Sequence, residues 1–314
     1  ILQFFLDRLP APGMGEPSGD LFVHFEVVPD HLPDRLKQVI AQFPPGVLQF
    51  EVGIQSFNAE VQQRISRQQD NARSEANLRW LVNESKAHVH ADLIFGLPGE
   101  TLESFALGFD RLYALGAHEI QPGLLKRLRG TPIDRHTAGF GMVYDALPPY
   151  AVQHTGAVDS ATLQRFIRFS RYWERVANSG RFRQTLALLF GEGGPVQTEV
   201  RRPAGAGEIV SGGAASPFYA FLGFAGWLWE STGKTSGLTP EYLVDALFDY
   251  LSNWRGWPAR TVRQALLSDY VGSGARGNPQ ALHGLLPRRD APMRHARALA
   301  QRQERHLAIR QSVD

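Results

Sequence analysis

The sequence contains no cysteine among its 314 residues. Disulfide bonds are therefore excluded, and so is any metal or iron–sulfur site built from thiolates of this chain. The sequence also has no apolar run of about 18 residues, the length that a membrane-spanning helix requires. The formal net charge is only +2, so we expect no strong attraction to nucleic acid or to a membrane surface.

The overall composition is that of an ordinary globular protein, with 43% hydrophobic and 20% charged residues. A chain of this length has room for two domains, or for one large α/β domain with an appendage. We expect a cytoplasmic protein whose partner is a small-molecule or cofactor substrate.

The sequence begins within a helical pattern rather than before one. The chain begins with isoleucine, and Ile1–Leu6 forms an apolar helical face with no capping residue before it. We interpret this start as that of a fragment, so the expectation is an N-terminally truncated protein.

Residues 1–135 alternate between strand and helix patterns. The pattern predicts strands at residues 21–28, 47–54, 88–95 and 119–125, with helices at 32–43, 74–85 and 101–115. Such alternation predicts βαβ units and parallel strand pairing. Four strands do not close an eight-stranded barrel. The sequence therefore favours the later half of a barrel, with an open doubly wound sheet as the alternative.

The remainder of the chain has a different character. Residues 136–160 read as an irregular connection, and residues 161–275 as a helical domain with a glycine-rich linker near 191–215. The apolar stretch 217–230 and the aromatic stripe within 163–178 are both typical of buried helices. Residues 276–314 are rich in arginine and predict a solvated basic tail, with an RNA-binding tail as the alternative.

Two stretches combine a buried strand with a polar or glycine-rich turn: Glu51–Asn58 (EVGIQSFN) and His90–Thr101 (HADLIFGLPGET). Parallel α/β sheets place ligand-holding groups where strands end in this way. Gln55 and Asp92 would then lie near the mouth, where they can bind hydroxyl groups or the polar groups of an amino acid. Gly53, Gly96 and Gly99 would let a ligand approach the backbone. The alternative is that the glycines serve turn geometry alone.

Four features occur in a characteristic order: Glu26 in FEVVP, GIQSFN at 53–58, Arg67, and DLIFGLP at 92–98. Over residues 20–125 the chain resembles the radical S-adenosylmethionine (radical SAM) family that includes the oxygen-independent coproporphyrinogen oxidases. The resemblance implies that Glu26, Gln55, Arg67 and Asp92 are polar contacts to S-adenosylmethionine. It also implies that Ile94 is an apolar contact near the adenine.

The segment 123–132 and the helical C-terminal region are similar to a branch of that family that carries an upstream cobalamin-binding domain. The implied fold is α/β, the C-terminal half of a radical SAM partial (β/α) barrel followed by a mostly helical domain. The implied cofactors are S-adenosylmethionine, a 4Fe–4S cluster and cobalamin, and the implied chemistry is 5′-deoxyadenosyl-radical or methyl-transfer chemistry on an unknown substrate. Because this chain has no cysteine, it offers no ligands to the cluster, and alone it is expected to be inert in that chemistry.

Two other interpretations stay open. The chain could be a degenerate barrel that acts as a binding or scaffold module without catalysis. His88 and His90 could chelate zinc, as in a metal-dependent hydrolase, although both precede the glycine-rich mouth and are also typical of interior packing.

Overall fold

The computed structural model of the protein describes residues 1–9, 21–191 and 216–286. These residues belong to two compact units, residues 1–164 and residues 165–286. Residues 192–215 of the linker predicted near 191–215 lie outside the described residues, and so do residues 287–314 of the basic tail predicted at 276–314. The predicted domain boundaries at 135, 160 and 275 remain predictions.

The first unit contains four parallel strands that pair in chain order. They are β1 (Val23–Val27), β2 (Leu48–Gln55), β3 (His88–Phe95) and β4 (Glu119–Leu124). A doubly wound sheet reverses its strand order at a switch point, and these strands show no reversal. The mixed α/β fold with a parallel sheet is confirmed, and the sequential order is that of a singly wound (β/α) sheet.

Helices connect the strands much as the sequence predicts. They are α1 (Leu2–Leu6), α2 (Asp34–Ile40), α3 (Ala59–Arg64), α4 (Asn71–Glu84) and α5 (Leu102–Tyr113). The short helix α3 was not predicted. A 3₁₀ turn (Pro132–His136) leads into the region predicted to be irregular, residues 136–160. That region holds an antiparallel pair of short strands, β5 (Val143–Tyr144) and β6 (Val152–His154).

The two faces of the sheet differ in polarity, as strand alternation requires. On β3, the side chains Val89, Ala91, Leu93 and Phe95 are all buried on the face that α4 and α5 contact. The opposite face carries the half-buried residues His90, Asp92 and Ile94. We call this opposite side the inner face, and every candidate group described below lies on it or at its edge.

The second unit is helical, in agreement with the prediction. It contains most of α6 (Ser160–Val176), then α7 (Arg183–Leu189), α8 (Pro217–Thr232), α9 (Pro240–Asp249), a π-helical turn (Tyr250–Trp254) and α10 (Ala259–Gly272). Phe169 and Trp173 of α6 pack against Phe221 of α8 with ring centroids 5.3 and 4.9 Å apart. Both predicted buried helices therefore lie in the core. Within the described ranges, no helix combines the length and apolarity needed to cross a membrane.

Candidate functional site

The two motifs found in the sequence meet at the carboxyl ends of β2 and β3. The Ser56 hydroxyl donates a hydrogen bond to the Glu100 carboxylate (2.5 Å), and the Asn58 side-chain amide donates to the Ser104 hydroxyl (2.8 Å). Each bond joins the loop after one strand to the loop or helix after the other. The two loops are thereby held as one framework.

Some motif residues serve this framework directly. The Asn58 Oδ1 accepts hydrogen bonds from the backbone N–H groups of Glu60 and Val61, so Asn58 caps α3. Thr101 caps α5 in the same way, through the backbone N–H of Ser104 at 3.1 Å. These contacts account for Asn58 and Thr101 without any ligand.

Gln55 ends β2 in an unusual conformation. Its φ is +68°, and the β2–β3 register shifts between Gly53 and Gln55. The side chain folds back over Gly53, so that a Cβ added at Gly53 would lie 2.8 Å from the Gln55 Nε2. Only a glycine at position 53 leaves room for the Gln55 amide. A strained, bulged strand end is a common device for aiming a side chain at a functional site.

Arg67 reaches the same place from the loop after α3. Its Nη2 donates to the Gly53 carbonyl oxygen, and its Nε donates to Gln69 Oε1 at 2.7 Å. Burial lowers the pKa of the Arg67 guanidinium, an effect that the nearby Asp30 carboxylate opposes. Arg67 and Gln55, which are twelve positions apart in the sequence, therefore come together over Gly53.

Asp92 lies beside them, since Gly53 is its partner in the β2–β3 register. Its Oδ1 is buried and has no hydrogen-bond partner. Burial raises the pKa of Asp92 to about 8, with further contributions from a hydrogen bond to Glu51 and from the negative charges of Glu51 and Glu26. At neutral pH the Asp92 carboxyl is therefore protonated until a ligand supplies a cation or a hydrogen-bond donor.

The remaining predicted residues, Glu26 and Ile94, lie nearby on the same face. Glu26 pairs in register with Glu51 on β2 and is exposed. Ile94 follows Asp92 by two positions, is half-buried, and pairs with Gly123 of β4. We call Glu26, Glu51, Gln55, Arg67 and Asp92 the carboxyl-end cluster.

Two glycines that were expected to admit a ligand are instead covered by the protein. A Cβ at Gly96 would lie 2.7 Å from a methyl group of Val152, and one at Gly99 would lie 2.6 Å from the Arg64 guanidinium. The close approach at these positions is by side chains of this chain. Of the three glycines considered, only Gly53 borders the cluster.

Glu100 is a buried carboxyl group that sequence reasoning missed. It is 1% exposed, one oxygen accepts from Ser56, and Oε2 has no hydrogen-bond partner. Burial raises the pKa of Glu100 to about 7, although the Ser56 hydrogen bond opposes the shift. The sequence feature that could have pointed to Glu100 is its position directly after the Gly-Leu-Pro-Gly turn.

A second group of polar residues lies at the other end of the inner face. His88 and His90 begin β3, and Glu119 begins β4 opposite His90. The Glu119 carboxylate lies 3.7 Å from His88 Nε2 and 3.4 Å from His90 Nε2. We call these three residues the amino-end cluster. The two histidines were predicted to lie away from the mouth, and they do; Glu119 was not foreseen, because only the strand register brings it there.

Comparison with known proteins gives one distant curated relative, and no family model matches the chain. The relative is anaerobilin synthase from Escherichia coli O157:H7, which is 28% identical over 99 residues. That match covers 32% of this chain and only 22% of the relative, so the chain spans about a fifth of the length of the curated protein it matches.

Several solved structures show partial likeness, and two of them are described here. One is described as coproporphyrinogen III oxidase (HemN) from Escherichia coli, a radical SAM enzyme; it has a TM-score of 0.36 and 24% identity, over 47% of this chain and 31% of its own. The other is the radical S-adenosylmethionine methyltransferase TsrM from Kitasatospora setae, with a TM-score of 0.34 and 19% identity, over 41% of this chain and 26% of its own.

Proposed function

We propose that the carboxyl-end cluster is the S-adenosylmethionine-binding part of a radical SAM enzyme. One observation carries the proposal. The buried Asp92 Oδ1 has no hydrogen-bond partner, and it lies next to the point where Gln55 and Arg67 converge over Gly53. An unsatisfied buried carboxylate oxygen is costly, and it is best explained as an acceptor kept for a ligand.

The charges of the cluster complement those of S-adenosylmethionine. The ligand carries two cationic groups, an ammonium and a sulfonium, together with one carboxylate and a ribose diol. Glu26 and Glu51 place negative charge beside the protonated Asp92 carboxyl. These charges suit the cations, and Asp92 can ionise to accept from the diol. Arg67 provides the single positive group, which suits the carboxylate.

Each side chain then has a definite role. Arg67 binds the methionyl carboxylate through charge-assisted hydrogen bonds, and Asp92 accepts from hydroxyl groups. Gln55 and Glu26 add polar contacts, and Ile94 provides an apolar surface for the adenine. The hydrogen bonds Ser56–Glu100 and Asn58–Ser104 hold the strand ends in place. The site is therefore organised before the ligand arrives.

The relatives support this proposal in a limited way. The sequence match to anaerobilin synthase extends over 99 residues, a length comparable to that of the strand-and-helix region. The curated relative is named as an enzyme, a synthase. It supports an enzymatic role with an unspecified substrate, which we propose for the intact radical SAM enzyme and not for this chain alone.

The other two implied cofactors, the 4Fe–4S cluster and cobalamin, are not part of this assignment. A bound S-adenosylmethionine would supply an adenosyl radical or a methyl group, but its reductive cleavage needs a 4Fe–4S cluster with thiolate ligands. This chain has no cysteine, so the cluster does not fit its residues, and we assign no cleavage step to them. Cobalamin binding, a cytoplasmic location and the class of substrate remain predictions.

The lack of cysteine favours a second candidate function. The same cluster could bind S-adenosylmethionine in a module that performs no chemistry. The two candidates share the binding step and differ in whether 5′-deoxyadenosine is released when cluster ligands are present in the same assembly.

Titration calorimetry with S-adenosylmethionine and S-adenosylhomocysteine tests the shared step. We expect saturable binding, and we expect Asp92→Asn to weaken it at least about tenfold, as for loss of one charged acceptor. Asp34→Asn, an exposed aspartate in the first turn of α2, is the matched control. No saturable binding by the wild-type chain, or equal affinity of Asp92→Asn and wild type, would refute the proposal.

A further inference from the structure

We propose that the amino-end cluster, His88, His90 and Glu119, binds one divalent transition-metal ion of the zinc type. Each residue can offer one ligand atom, and these three atoms lie within 4.8 Å of one another. This site is independent of the proposed S-adenosylmethionine site, because it uses none of the residues of the carboxyl-end cluster.

The geometry is close to that of a metal site. In tetrahedral coordination with metal–ligand bonds of about 2.0–2.1 Å, neighbouring ligand atoms are separated by roughly 3.4 Å. The Glu119 carboxylate is 3.4 Å from His90 Nε2 and 3.7 Å from His88 Nε2. The two imidazole rings meet edge to face with centroids 4.8 Å apart. A modest rotation of the His88 ring brings all three donors into coordination.

The surroundings hold the ligands rigidly. All three side chains are nearly buried, at 1%, 12% and 2% exposure for His88, His90 and Glu119. The Gln121 side-chain amide contacts the other ring nitrogen of His90, Nδ1, at 3.0 Å. His118 stacks on His88, and its own Nδ1 accepts from the backbone N–H of Val89. Metal-bound histidines usually donate their second ring N–H to an acceptor. Gln121 fills this role for His90 when its side-chain amide is turned so that Oε1, rather than Nε2, faces Nδ1.

The chemical types of the three ligands indicate which class of metal ion would bind. Two imidazoles and one carboxylate suit zinc and its neighbours, whereas calcium and magnesium prefer sites made only of oxygen. Three protein ligands leave a fourth position for water. Because His88 and His90 come from β3 and Glu119 from β4, the ion would cross-link two neighbouring strands at the end of the sheet that lies away from the ligand-binding loops. We therefore assign the ion a stabilising role.

Metal loading of the full chain, free of any affinity tag, tests the proposal. The chain is stripped with a chelator and titrated with Zn²⁺ and with Co²⁺, and bound metal is measured by elemental analysis and by the visible spectrum of Co²⁺. We expect about one ion per chain and a rise in Tm on loading. Glu119→Gln and His90→Ala should abolish stoichiometric loading, and Gln121→Ala should weaken it about 10–100-fold. His31→Ala, an exposed histidine after β1, should load as wild type.

A second measurement needs no variant and so does not depend on how the variants fold. X-ray absorption of the Zn²⁺-loaded wild-type chain should show two imidazole ligands and otherwise oxygen. A chain that binds no metal at micromolar concentration would overturn the proposal. So would a spectrum without two imidazoles, or a folded Glu119→Gln protein that loads fully.

Discussion

The two clusters on the inner face of the sheet differ although they are built on the same strands. His90 and Asp92 are two positions apart on β3, yet one belongs to the amino-end cluster and the other to the carboxyl-end cluster. The amino-end residues are nearly buried and contact one another. The carboxyl-end residues are more open, and one buried oxygen, Asp92 Oδ1, has no hydrogen-bond partner.

The difference shows what the loops contribute. The amino-end cluster consists of strand residues alone, so strand register fixes its geometry. The carboxyl-end cluster needs Arg67 from a loop and the bulged end of β2 at Gln55. Loops on a rigid sheet supply groups that can adapt to an organic ligand, whereas strand residues alone make a small and rigid site of the size of an ion.

The strongest test of this contrast is Arg67→Ala. The substitution removes the only cation of the carboxyl-end cluster, and loss of a charge-assisted hydrogen bond predicts affinity for S-adenosylhomocysteine about 10–100-fold weaker. Metal loading at the amino-end cluster should not change. Arg73→Ala, at an exposed position of α4, is the control in calorimetry. Equal losses in the two variants would mean that Arg67 has no specific role.

A smaller effect is expected for Gly53→Ala. The added Cβ would lie 2.8 Å from Gln55 Nε2, the mobile tip of a flexible side chain. Gln55 should move aside while the sheet stays folded, so that one neutral hydrogen bond to the ligand is lost. We expect affinity to fall roughly 2–10-fold with little change in Tm. Gly139→Ala, where a Cβ meets nothing within 4 Å, should bind as wild type; a wild-type affinity for Gly53→Ala would contradict the assigned role of Gln55.

The last prediction concerns stability rather than binding. The pKa of Glu100 is raised to about 7 in the folded chain, against an ordinary value of 4.5. Between these values the folded state holds a proton that the unfolded state has released, so the free energy of unfolding should decrease as pH rises from about 4.5 to 7. Glu100→Gln should remove about 1–3 kcal/mol of this decrease.

Urea unfolding at pH 5 and at pH 8 measures that change. The control is Glu103→Gln, an exposed glutamate in the first turn of α5, and it should keep the wild-type pH dependence. An unchanged pH dependence in Glu100→Gln would show that Glu100 is ionised in the folded chain throughout this range.

The strands were predictable because their apolar alternation is strong, and all four lie within two residues of the predicted bounds. Helix α3 was missed because AEVQQR has few apolar residues; its only clear signal is the cap, Asn58. The strands β5 and β6, two and three residues long, are too short for periodicity to show.

The candidate site was predictable only in part. Glu26, Gln55, Arg67, Asp92 and Ile94 were named through the order of motifs, and their role as ligand contacts is still a prediction. Glu51 and Glu119 were not named as site residues because their partners, Asp92 and His90, lie on other strands. Such pairs follow from strand register, which the spacing of residues along one chain does not determine.

The most direct measurement is the number of protons released when S-adenosylhomocysteine binds at pH 7, from calorimetry in buffers of different ionisation enthalpy. Asp92, with a pKa of about 8 in the ligand-free protein, should release about one proton as it accepts a hydrogen bond from the ligand. The release should disappear in Asp92→Asn. Binding without proton release, or with the same release in Asp92→Asn, would contradict the placement of the ligand at the carboxyl-end cluster.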